Sequence, residues 1–202
     1  MAYVELSEFV FDCAVCHTRC DGISKGIYLF NNDSAFSEHY ENIIINRINH
    51  TSTYKAEKSS VHTNPDIEIK HMDSVVYRYL EVKVQQRTFM GIEKYLQKSK
   101  LLPSETVALN LSDLLRYFEI EQRTGIPVSI VWVLLNRPCI VQQYEERFYY
   151  QQVQKLKKIY EAQLLTRKFT RKSGEGDIVD GKHKGVTVNY HFSLKELTPW
   201  KF

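Results

Sequence analysis

Two carboxylates, Asp66 and Glu81, could share one divalent cation if the chain brings them face to face. Fourteen residues separate them, and both lie in short segments in which polar and apolar side chains alternate. Two ionised carboxylates at close range repel each other, and a hard cation bound to their oxygens removes that repulsion. Whether the two side chains meet depends on how the residues between them fold.

The residues between the two acids are predicted to form a β-hairpin. In segments 66–70 and 80–85 every second side chain is apolar, which is typical of strands with one face in a core. The intervening HMDS has the composition of a turn. A turn centred on Asp73-Ser74 sets Asp66 directly opposite Glu81, where opposed Cβ atoms lie about 4.5–5.5 Å apart. Both carboxylates could then bind the same ion.

The order Pro65-Asp66, fourteen residues, then Glu81-Val82-Lys83 resembles the PD-(D/E)xK motif of restriction-endonuclease-like nucleases. The resemblance implies that Asp66 and Glu81 hold one or two Mg²⁺ ions. It implies that Lys83 orients or deprotonates the water that attacks phosphorus. It also implies the fold of that superfamily, an α/β domain with a mixed β-sheet flanked by helices.

Further side chains could complete such a site. Gln85 and Glu68 fall on the same face of the predicted hairpin and are accessory candidates. A helix is predicted over residues 35–49, capped from its N-terminal side. In the resembled family a helix in this position often contributes another carboxylate, for which Glu41 is the first candidate and Glu38 the second.

Two other interpretations of the hairpin remain open. A second Glu-x-Lys triplet, Glu68 to Lys70, would need an aspartate from the preceding strand, and Glu57 and His62 are poor substitutes for it. The polar face could also be a solvated surface that carries one salt bridge, from Glu81 to Lys83 or to Lys70. Under that interpretation the hairpin would neither bind a metal ion nor take part in catalysis.

Three of the four cysteines lie close together, as Cys13, Cys16 and Cys20. A C-x₂-C pair followed by a third thiol has the spacing of a zinc knuckle, and the adjacent His17 is a candidate fourth ligand. Cys139 or another histidine, such as His50, could take that place in a zinc site instead. Cys139 could also be the fourth ligand of an iron–sulfur cluster. The same residues could also be free thiols in a loop. The match of CAVCH to c-type haem attachment is set aside, because that chemistry needs an exported protein.

A basic segment near the C-terminus could contact nucleic acid. Residues 155–172 carry seven lysines and arginines against one acid, Glu161, with Tyr160 and Phe169 among them. Cations interleaved with aromatic rings suit a phosphate backbone, although an ordinary solvated helix end has the same composition. The candidates for nucleic-acid binding are Lys155, Lys158, Arg167, Lys168, Arg171 and Lys172.

The remaining elements predict how the hairpin is supported. A helix over residues 111–123 ends at Gly125 and leads into VSIVWVLL, a run typical of a strand buried on both faces. A helix between two strands is the crossover expected in a mixed α/β sheet. Further predictions are a loop or edge strand over 51–63, a strand or short helix over 88–100, one long helix over 144–165 and a final strand over 185–192.

Length, charge and cysteine usage limit the class of protein. The 202 residues, 43% of them hydrophobic, suit one globular domain over residues 35–202 with a small Cys-rich segment over residues 1–34. A net charge of +3 is compatible with a polyanionic partner. We expect no membrane span and no export, since neither a long apolar run nor a leader is present. Clustered cysteines without a disulfide framework predict an intracellular protein, cytoplasmic or nuclear.

The predicted function is hydrolysis of phosphodiester bonds in DNA by an endonuclease that depends on Mg²⁺ or Mn²⁺. A restriction enzyme, a junction resolvase and a repair endonuclease all fit this size. We expect a homodimer, because two DNA strands need two sites. One alternative is a non-catalytic nucleic-acid-binding module that uses the cysteines and the basic segment. Another is a protein-interaction or structural domain without affinity for nucleic acid.

Overall fold

The computed structural model describes residues 30–61, 63–85, 89–135, 146–171, 178–179, 182–183 and 187–200. The cysteine cluster with His17 lies outside the described residues, and so do Cys139 and Lys172. The described chain forms four α-helices: α1 (Phe30–Thr51), α2 (Ile92–Tyr95), α3 (Leu111–Thr124) and α4 (Val153–Gln163). Short 3₁₀ turns cover Gln97–Ser99, Leu164–Arg167 and Leu194–Glu196.

The described strands form three sheets. The largest contains six strands, in the order β1 (Lys55–Lys58), β2 (Ile67–Lys70), β3 (Val76–Gln85), β5 (Val128–Leu134), β6 (Arg147–Gln152) and β11 (Thr198–Pro199). A second sheet has the order β4 (Thr106–Asn110), β10 (Val188–Ser193) and β7 (Lys168–Thr170). The third is a two-stranded pair of β8 (Ile178–Val179) and β9 (Lys182–His183).

The six-stranded sheet is mixed. Strands β3 and β5 run parallel, and its other neighbouring strands are antiparallel. Parallel neighbours need a crossover connection, and α3 lies between β3 and β5 along the chain. The predicted α/β class, with a mixed sheet flanked by helices, is therefore confirmed.

Two hydrophobic cores lie on opposite faces of this sheet. Helix α1 packs on one face, where Tyr40, Ile44 and Ile48 are buried against β2, β3 and β5. Helices α3 and α4 and the three-stranded sheet cover the other face around Trp132 and Tyr117, both fully buried. Alternate residues of β5 enter the two cores, so all seven of its residues are buried, as its apolar sequence predicts.

Helix α3 ends where the sequence predicts. Asn110 is its N-cap residue, and Gly125 is its C-cap residue with φ of 69°. Glycine adopts this left-handed conformation without the steric cost that a Cβ imposes, which makes it a frequent helix terminator. The chain then turns directly into β5, which fixes α3 against the sheet.

The prediction of one long helix over residues 144–165 is wrong in its first half. Arg147–Gln152 is β6, which pairs antiparallel with β5, and α4 begins only at Val153. Phe148 and Tyr149 are buried in the two opposite cores. Pairing with β5 and burial on both faces together outweigh the helix propensity of the surrounding Glu, Gln and Lys residues.

The shorter predictions have mixed outcomes. The segment 51–63 contains β1, an edge strand, and 88–100 contains the short helix α2 rather than a third strand of the hairpin. The final strand is present as β10, whereas β4 is not anticipated by the sequence analysis. In the part of the chain that is described, no helix is both long and apolar enough to cross a membrane.

Candidate metal and active site

The hairpin of β2 and β3 has the predicted register. Ile67 pairs with Leu80 and Glu68 with Tyr79, and the register shifts only near the turn, between Ile69 and Lys70. Continued by one residue beyond Ile67, this register places Asp66 opposite Glu81. The two carboxylates therefore arise from neighbouring strands at directly facing positions.

Two sets of hydrogen bonds fix Asp66. Its Oδ2 accepts a hydrogen bond from the backbone N–H of Val82 at 2.8 Å, which holds the carboxylate against β3. Its carbonyl accepts from the backbone N–H of Ser59 at 2.9 Å, and the Ser59 hydroxyl donates to the carbonyl of Pro65. The end of β1 thus anchors the Pro-Asp pair, and the side chain is directed to the position next to Glu81.

The polar face of the hairpin is not a solvated surface. Glu81 is 4% exposed and Glu68 is 6% exposed. Helix α3 covers this side of the main sheet at Glu81. The fully buried Tyr117 donates a hydrogen bond to Glu81. The sequence-based expectation of one buried and one open face is therefore wrong at these positions. Burying a carboxylate costs folding free energy unless its charge is paired. Such a residue is therefore a candidate for a functional role.

Lys83 lies between two acids. Its Nζ is 2.5 Å from Oε1 of Glu81 and 3.8 Å from Oδ2 of Asp113. Burial acts to lower the pKa of Lys83, but Glu81 and Asp113 outweigh it and raise the pKa above its ordinary value. Lys83 is therefore an ammonium in this arrangement. The salt bridge from Glu81 to Lys83 is present, but it belongs to a cluster that also includes Asp66.

The pKa of Asp66 is raised from 3.8 to about 7. Burial is the main cause, and the charge of Glu81 is the second; the N–H of Val82 and the charge of Lys83 offset them only in part. The single ammonium of Lys83 therefore does not balance the carboxylates of the cluster at neutral pH. A divalent cation beside Asp66 and Glu81 would supply it.

The donor set fits Mg²⁺ or Mn²⁺ rather than a softer metal. Mg²⁺ is commonly held by one or two carboxylates, with waters and substrate phosphates as the other ligands. Among the described residues no group of three or more His, Cys, Asp or Glu side chains is arranged as a metal site. Two carboxylate ligands would leave coordination positions of the ion free for water and phosphate. A structural metal site, by contrast, fills all positions with protein ligands.

The second triplet, Glu68 to Lys70, has a different electrostatic character. Glu57 lies opposite Glu68, and Nζ of Lys70 bridges the two carboxylates at 2.6 and 3.1 Å. Hydrogen bonds from Lys55 and Lys70 lower the pKa of Glu57 to about 2. These acids are already neutralised by lysines, so they have no need of a metal ion. The charge balance favours Asp66 and Glu81 as the metal pair.

Glu41 extends from α1 toward the same cluster. Its side chain is 15% exposed, and its pKa is raised by burial and, to a smaller extent, by the charge of Glu81. Lys58 lies 3.6 Å from Glu41 and 2.6 Å from Glu38, which is largely exposed. Of the two helix candidates, Glu41 is therefore the one close to Glu81.

Gln85 lies on the expected face, and one of its contacts joins it to the second sheet. Its Nε2 donates to the carbonyl of Ala108 on β4 at 3.0 Å. The indole N–H of Trp132 donates to the same oxygen at 3.2 Å. Gln85 therefore ties the end of β3 to the second sheet, which suits support of the site better than contact with a reacting group.

Helix α3 contributes three residues that the sequence analysis did not select. Asp113 contacts Lys83 and also Arg116, at 3.2 Å. Arg116 in turn donates to the hydroxyl of Tyr117 at 3.0 Å, and Tyr117 donates to Glu81. The signal in the sequence is topological. The crossover helix of a parallel pair packs on the sheet, so its inward polar side chains can reach the polar residues of β3.

We expect Tyr117→Phe to destabilise the protein by roughly 1–3 kcal/mol, because it leaves the buried Glu81 without one of its donors while keeping the aromatic ring. Urea denaturation measures the change. Tyr95→Phe is the control, since its side chain is 55% exposed, and it should have wild-type stability. An unchanged midpoint for Tyr117→Phe would show that the hydrogen bond to Glu81 contributes nothing.

The basic segment is only partly exposed. Lys155 and Lys158 are exposed on α4, and Lys168 is exposed on β7. Arg171 is half-buried, with its guanidinium 3.5 Å from Oγ1 of Thr187. Helix α4 packs in the same core as α3. The exposed lysines therefore belong to the layer that covers the Glu81 face of the sheet.

Arg167 does not belong to this exposed group. It is 7% exposed, and its Nη1 binds Oε2 of Glu196 at 2.6 Å. Glu196 also accepts a hydrogen bond from the backbone N–H of Ser193, which closes a capping box. Arg167 thus joins α4 to the end of β10 within the fold, and we remove it from the nucleic-acid candidates.

A cavity of about 460 Å³ lies on the opposite face of the sheet, near the end of α1. Its lining includes Arg78, whose Nη1 donates to Ser129, and the stacked rings of Tyr54 and Tyr77. One cation and no carboxylate line it. The cavity therefore offers no acidic ligands for a divalent ion and is separate from the Asp66–Glu81 site.

Comparison with known proteins identifies no family. No protein-family model matches the chain, and no curated protein matches it. Among solved structures, it is similar to a 1.6 Å structure of Hjc, a Holliday junction resolvase from Archaeoglobus fulgidus. The identity is 11% and the TM-score 0.39, over 81% of this chain and 86% of that chain. A likeness at this level carries no weight for function, which rests on the residues themselves.

Proposed function

We propose that this protein is a metal-dependent deoxyribonuclease of the PD-(D/E)xK type, with a restriction-endonuclease-like fold. The observation that carries the proposal is the facing pair of the half-buried Asp66 and the buried Glu81, beside the ammonium of Lys83. The pKa of Asp66, raised to about 7, supports it, because the cluster is short of the positive charge that a metal ion would provide.

Each residue of the site has a definite task. A divalent cation, when bound, would acidify a water and neutralise charge on the phosphate. The ammonium of Lys83 would orient the attacking water and stabilise the negative charge that builds on the phosphate oxygens. Since its pKa is raised, Lys83 is better suited to these tasks than to removing the proton itself. Asp113 would hold the ammonium from its other side.

The surroundings keep these groups in place before the substrate arrives. Tyr117 binds Glu81, and the backbone N–H of Val82 binds Asp66. Glu41 lies close enough to Glu81 to contribute a third acid. Groups already fixed in the geometry of the reaction do not need to be ordered during it, which lowers the barrier. The proposed enzyme acts as a homodimer on DNA, because each strand requires one site.

The cysteine cluster is proposed to form a separate, structural zinc site. Cys13, Cys16 and Cys20 would bind as thiolates, with His17 as the fourth ligand. Elemental analysis of the purified protein tests this proposal. About one zinc per chain is expected, and iron in place of zinc, or neither metal, would contradict it.

The experiment that tests the proposed function is incubation with supercoiled, linear and branched DNA in Mg²⁺, Mn²⁺ or EDTA. Cleavage is expected with either metal and not in EDTA, and it should return when Mg²⁺ is added in excess. Chelation and restoration together separate a metal-dependent activity from a contaminating metal-independent one.

The exposed Lys155, Lys158 and Lys168 favour one second candidate, a non-catalytic nucleic-acid-binding module. The same incubations distinguish it. DNA that is bound with a steep dependence on salt, but is not cut in either metal, would identify a binding module. A protein that neither binds nor cuts DNA would be an interaction or structural domain.

A further inference from the structure

A partly exposed aromatic patch lies beyond the end of β3, on the face of the main sheet that carries Glu81. It consists of Phe89, Tyr95 and Phe169, whose ring centroids are 4.9 to 6.1 Å apart. Tyr95 is 55% exposed, and the neighbouring Met90 is 38% exposed. Large apolar surface that remains open in a small domain often marks a binding site. The aromatic patch therefore suits a binding partner with a flat, apolar face.

Buried residues and a glycine surround Tyr95 in the local chain. Ile92, Leu96 and Leu101 are buried beneath the segment and fix its backbone. A Cβ at Gly91 would lie 2.8 Å from Cε2 of Tyr95, so only glycine lets the tyrosine ring lie this close to the chain. The ring is nearly parallel to that of Phe89, at an interplanar angle of 11°. The exposed ring therefore lies over Gly91 and nearly parallel to Phe89.

Direct contacts connect the aromatic patch to the active face. Gln85, two residues beyond Lys83, donates to the carbonyl of Ala108. Ala108 pairs with His191 on the adjacent strand of the second sheet. The ring of His191 lies 5.2 Å from that of Phe89. The patch thus lies beyond the end of β3, on the face of the sheet that carries Glu81.

The patch is surrounded by positive charge. Residues 89–100 contain three lysines and one acid, Glu93, and all three lysines are exposed. Nζ of Lys94 lies 5.8 Å from the centroid of the Tyr95 ring. Lys168 is exposed directly beside Phe169. Aromatic rings among lysines are what a single-stranded nucleic acid requires, since its bases stack on rings and its phosphates attract cations.

We propose that the aromatic patch stacks an unpaired base of the substrate strand, so that the substrate is DNA with a single-stranded or unpaired region beside the scissile phosphate. This inference rests on the proposed nuclease function and names its substrate class. In uninterrupted duplex the bases are paired and stacked on one another, and their faces are not available to Tyr95. Flaps, bubbles and branched ends would therefore bind better than blunt duplex of equal length.

The test is binding in EDTA, which does not depend on cleavage. Oligonucleotides carry 2-aminopurine, a fluorescent base quenched by stacking, at an unpaired position or at a paired one. Wild-type protein is expected to quench the unpaired probe and to bind that DNA at least about tenfold more tightly than the duplex. Tyr95→Ala should lose the quenching and about tenfold or more of this affinity. Its affinity for duplex should stay unchanged.

Two control variants separate stacking from charge and from folding. Tyr95→Phe keeps the ring and should behave as wild type. Tyr77→Ala removes another partly exposed tyrosine, which lines the cavity on the opposite face, and should have no effect. Lys94→Gln should weaken both DNAs equally. Circular dichroism and melting temperature verify that Tyr95→Ala is folded.

The proposal is overturned if Tyr95→Ala, correctly folded, binds and quenches the unpaired probe as wild type does. It is also overturned if unpaired and duplex DNA lose affinity equally, because that result reports charge rather than stacking. Cleavage assays then distinguish failure of the stacking site from failure of the proposed nuclease function. A protein that cuts DNA in Mg²⁺ but is insensitive to Tyr95→Ala remains a nuclease without this stacking site. One that binds no DNA fails both proposals.

Discussion

In Mg²⁺, Lys83→Ala and Asp66→Asn are expected to lower the rate of DNA cleavage by roughly 10²- to 10⁴-fold. Lys83→Ala removes the ammonium that lies 2.5 Å from Glu81 and would stabilise charge on the phosphate. Asp66→Asn removes one of the two proposed carboxylate ligands. Single-turnover cleavage of a labelled oligonucleotide measures both rates. DNA affinity in EDTA should change far less than the cleavage rate, because most of the proposed phosphate contacts come from the exposed lysines Lys155, Lys158 and Lys168.

The second Glu-x-Lys triplet provides a matched control. Lys70 lies one strand away from Lys83 and also bridges acidic side chains, Glu57 and Glu68. Lys70→Ala is therefore expected to cut DNA at close to the wild-type rate. If Lys70→Ala were inactive and Lys83→Ala active, the catalytic triplet would be the other one. If both variants cut normally, the hairpin would not be the active site.

Glu81→Gln is the corresponding change at the second proposed ligand, and it should also remove cleavage. Its effect on the fold needs separate measurement, since Glu81 is 4% exposed and is bound by Tyr117 and Lys83. Glutamine has the same shape and can still accept from the tyrosine. Loss of activity with an unchanged circular dichroism spectrum would therefore report the lost charge.

The hairpin could be predicted from sequence because its determinants are local. Alternation with a period of two and a turn at Asp73 fix the register, and the register alone places Asp66 opposite Glu81. The turn itself follows the prediction: Ser74 has φ of 66°, and Oδ1 of Asp73 accepts from the backbone N–H of Val75. The facing pair Asp66 and Glu81 could be predicted from the sequence for the same reason.

The support around the site depends on contacts between segments that are distant in sequence. Asp113 at the start of a helix resembles any acid that favours a helix N-terminus, and only packing of α3 on the sheet brings it to Lys83. The burial of Glu81 has the same origin, because alternation shows two faces but not what covers them. Strand β6 was missed because its state depends on pairing with β5.

Arg167 shows the corresponding limit of charge counting. Seven cations among residues 155–172 suggested one basic surface. In the structure, Arg167 turns inward to Glu196, whereas Lys155 and Lys158 stay exposed. A run of basic residues gives the net charge of a segment, but the fold decides which of the charges face solvent.

At pH 8 in EDTA, Asp66→Asn is expected to be more stable than the wild-type protein, by roughly 2–4 kcal/mol. Burial and the charge of Glu81 raise the pKa of Asp66 from 3.8 to about 7, so the folded protein binds this proton more tightly than the unfolded chain. The stability from the protonated carboxyl is fully present below about pH 4 and is lost as the pH rises through 7. Asparagine is never charged and still accepts from the N–H of Val82.

Metal ions should reverse this order of stability. Millimolar Mn²⁺ or Mg²⁺ is expected to bind the folded wild-type protein and to raise its melting temperature, whereas Asp66→Asn lacks a proposed ligand and should not respond. Glu57→Gln is the matched control: lysines lower the pKa of Glu57 to about 2, so removing its charge should not stabilise the protein. A variant that is more stable without metal and inactive with it would mark Asp66 as a residue retained for function at a cost in stability. Were Asp66→Asn less stable than wild type at pH 8, the carboxylate would be a structural group, and the charge deficit that points to a metal ion would not exist.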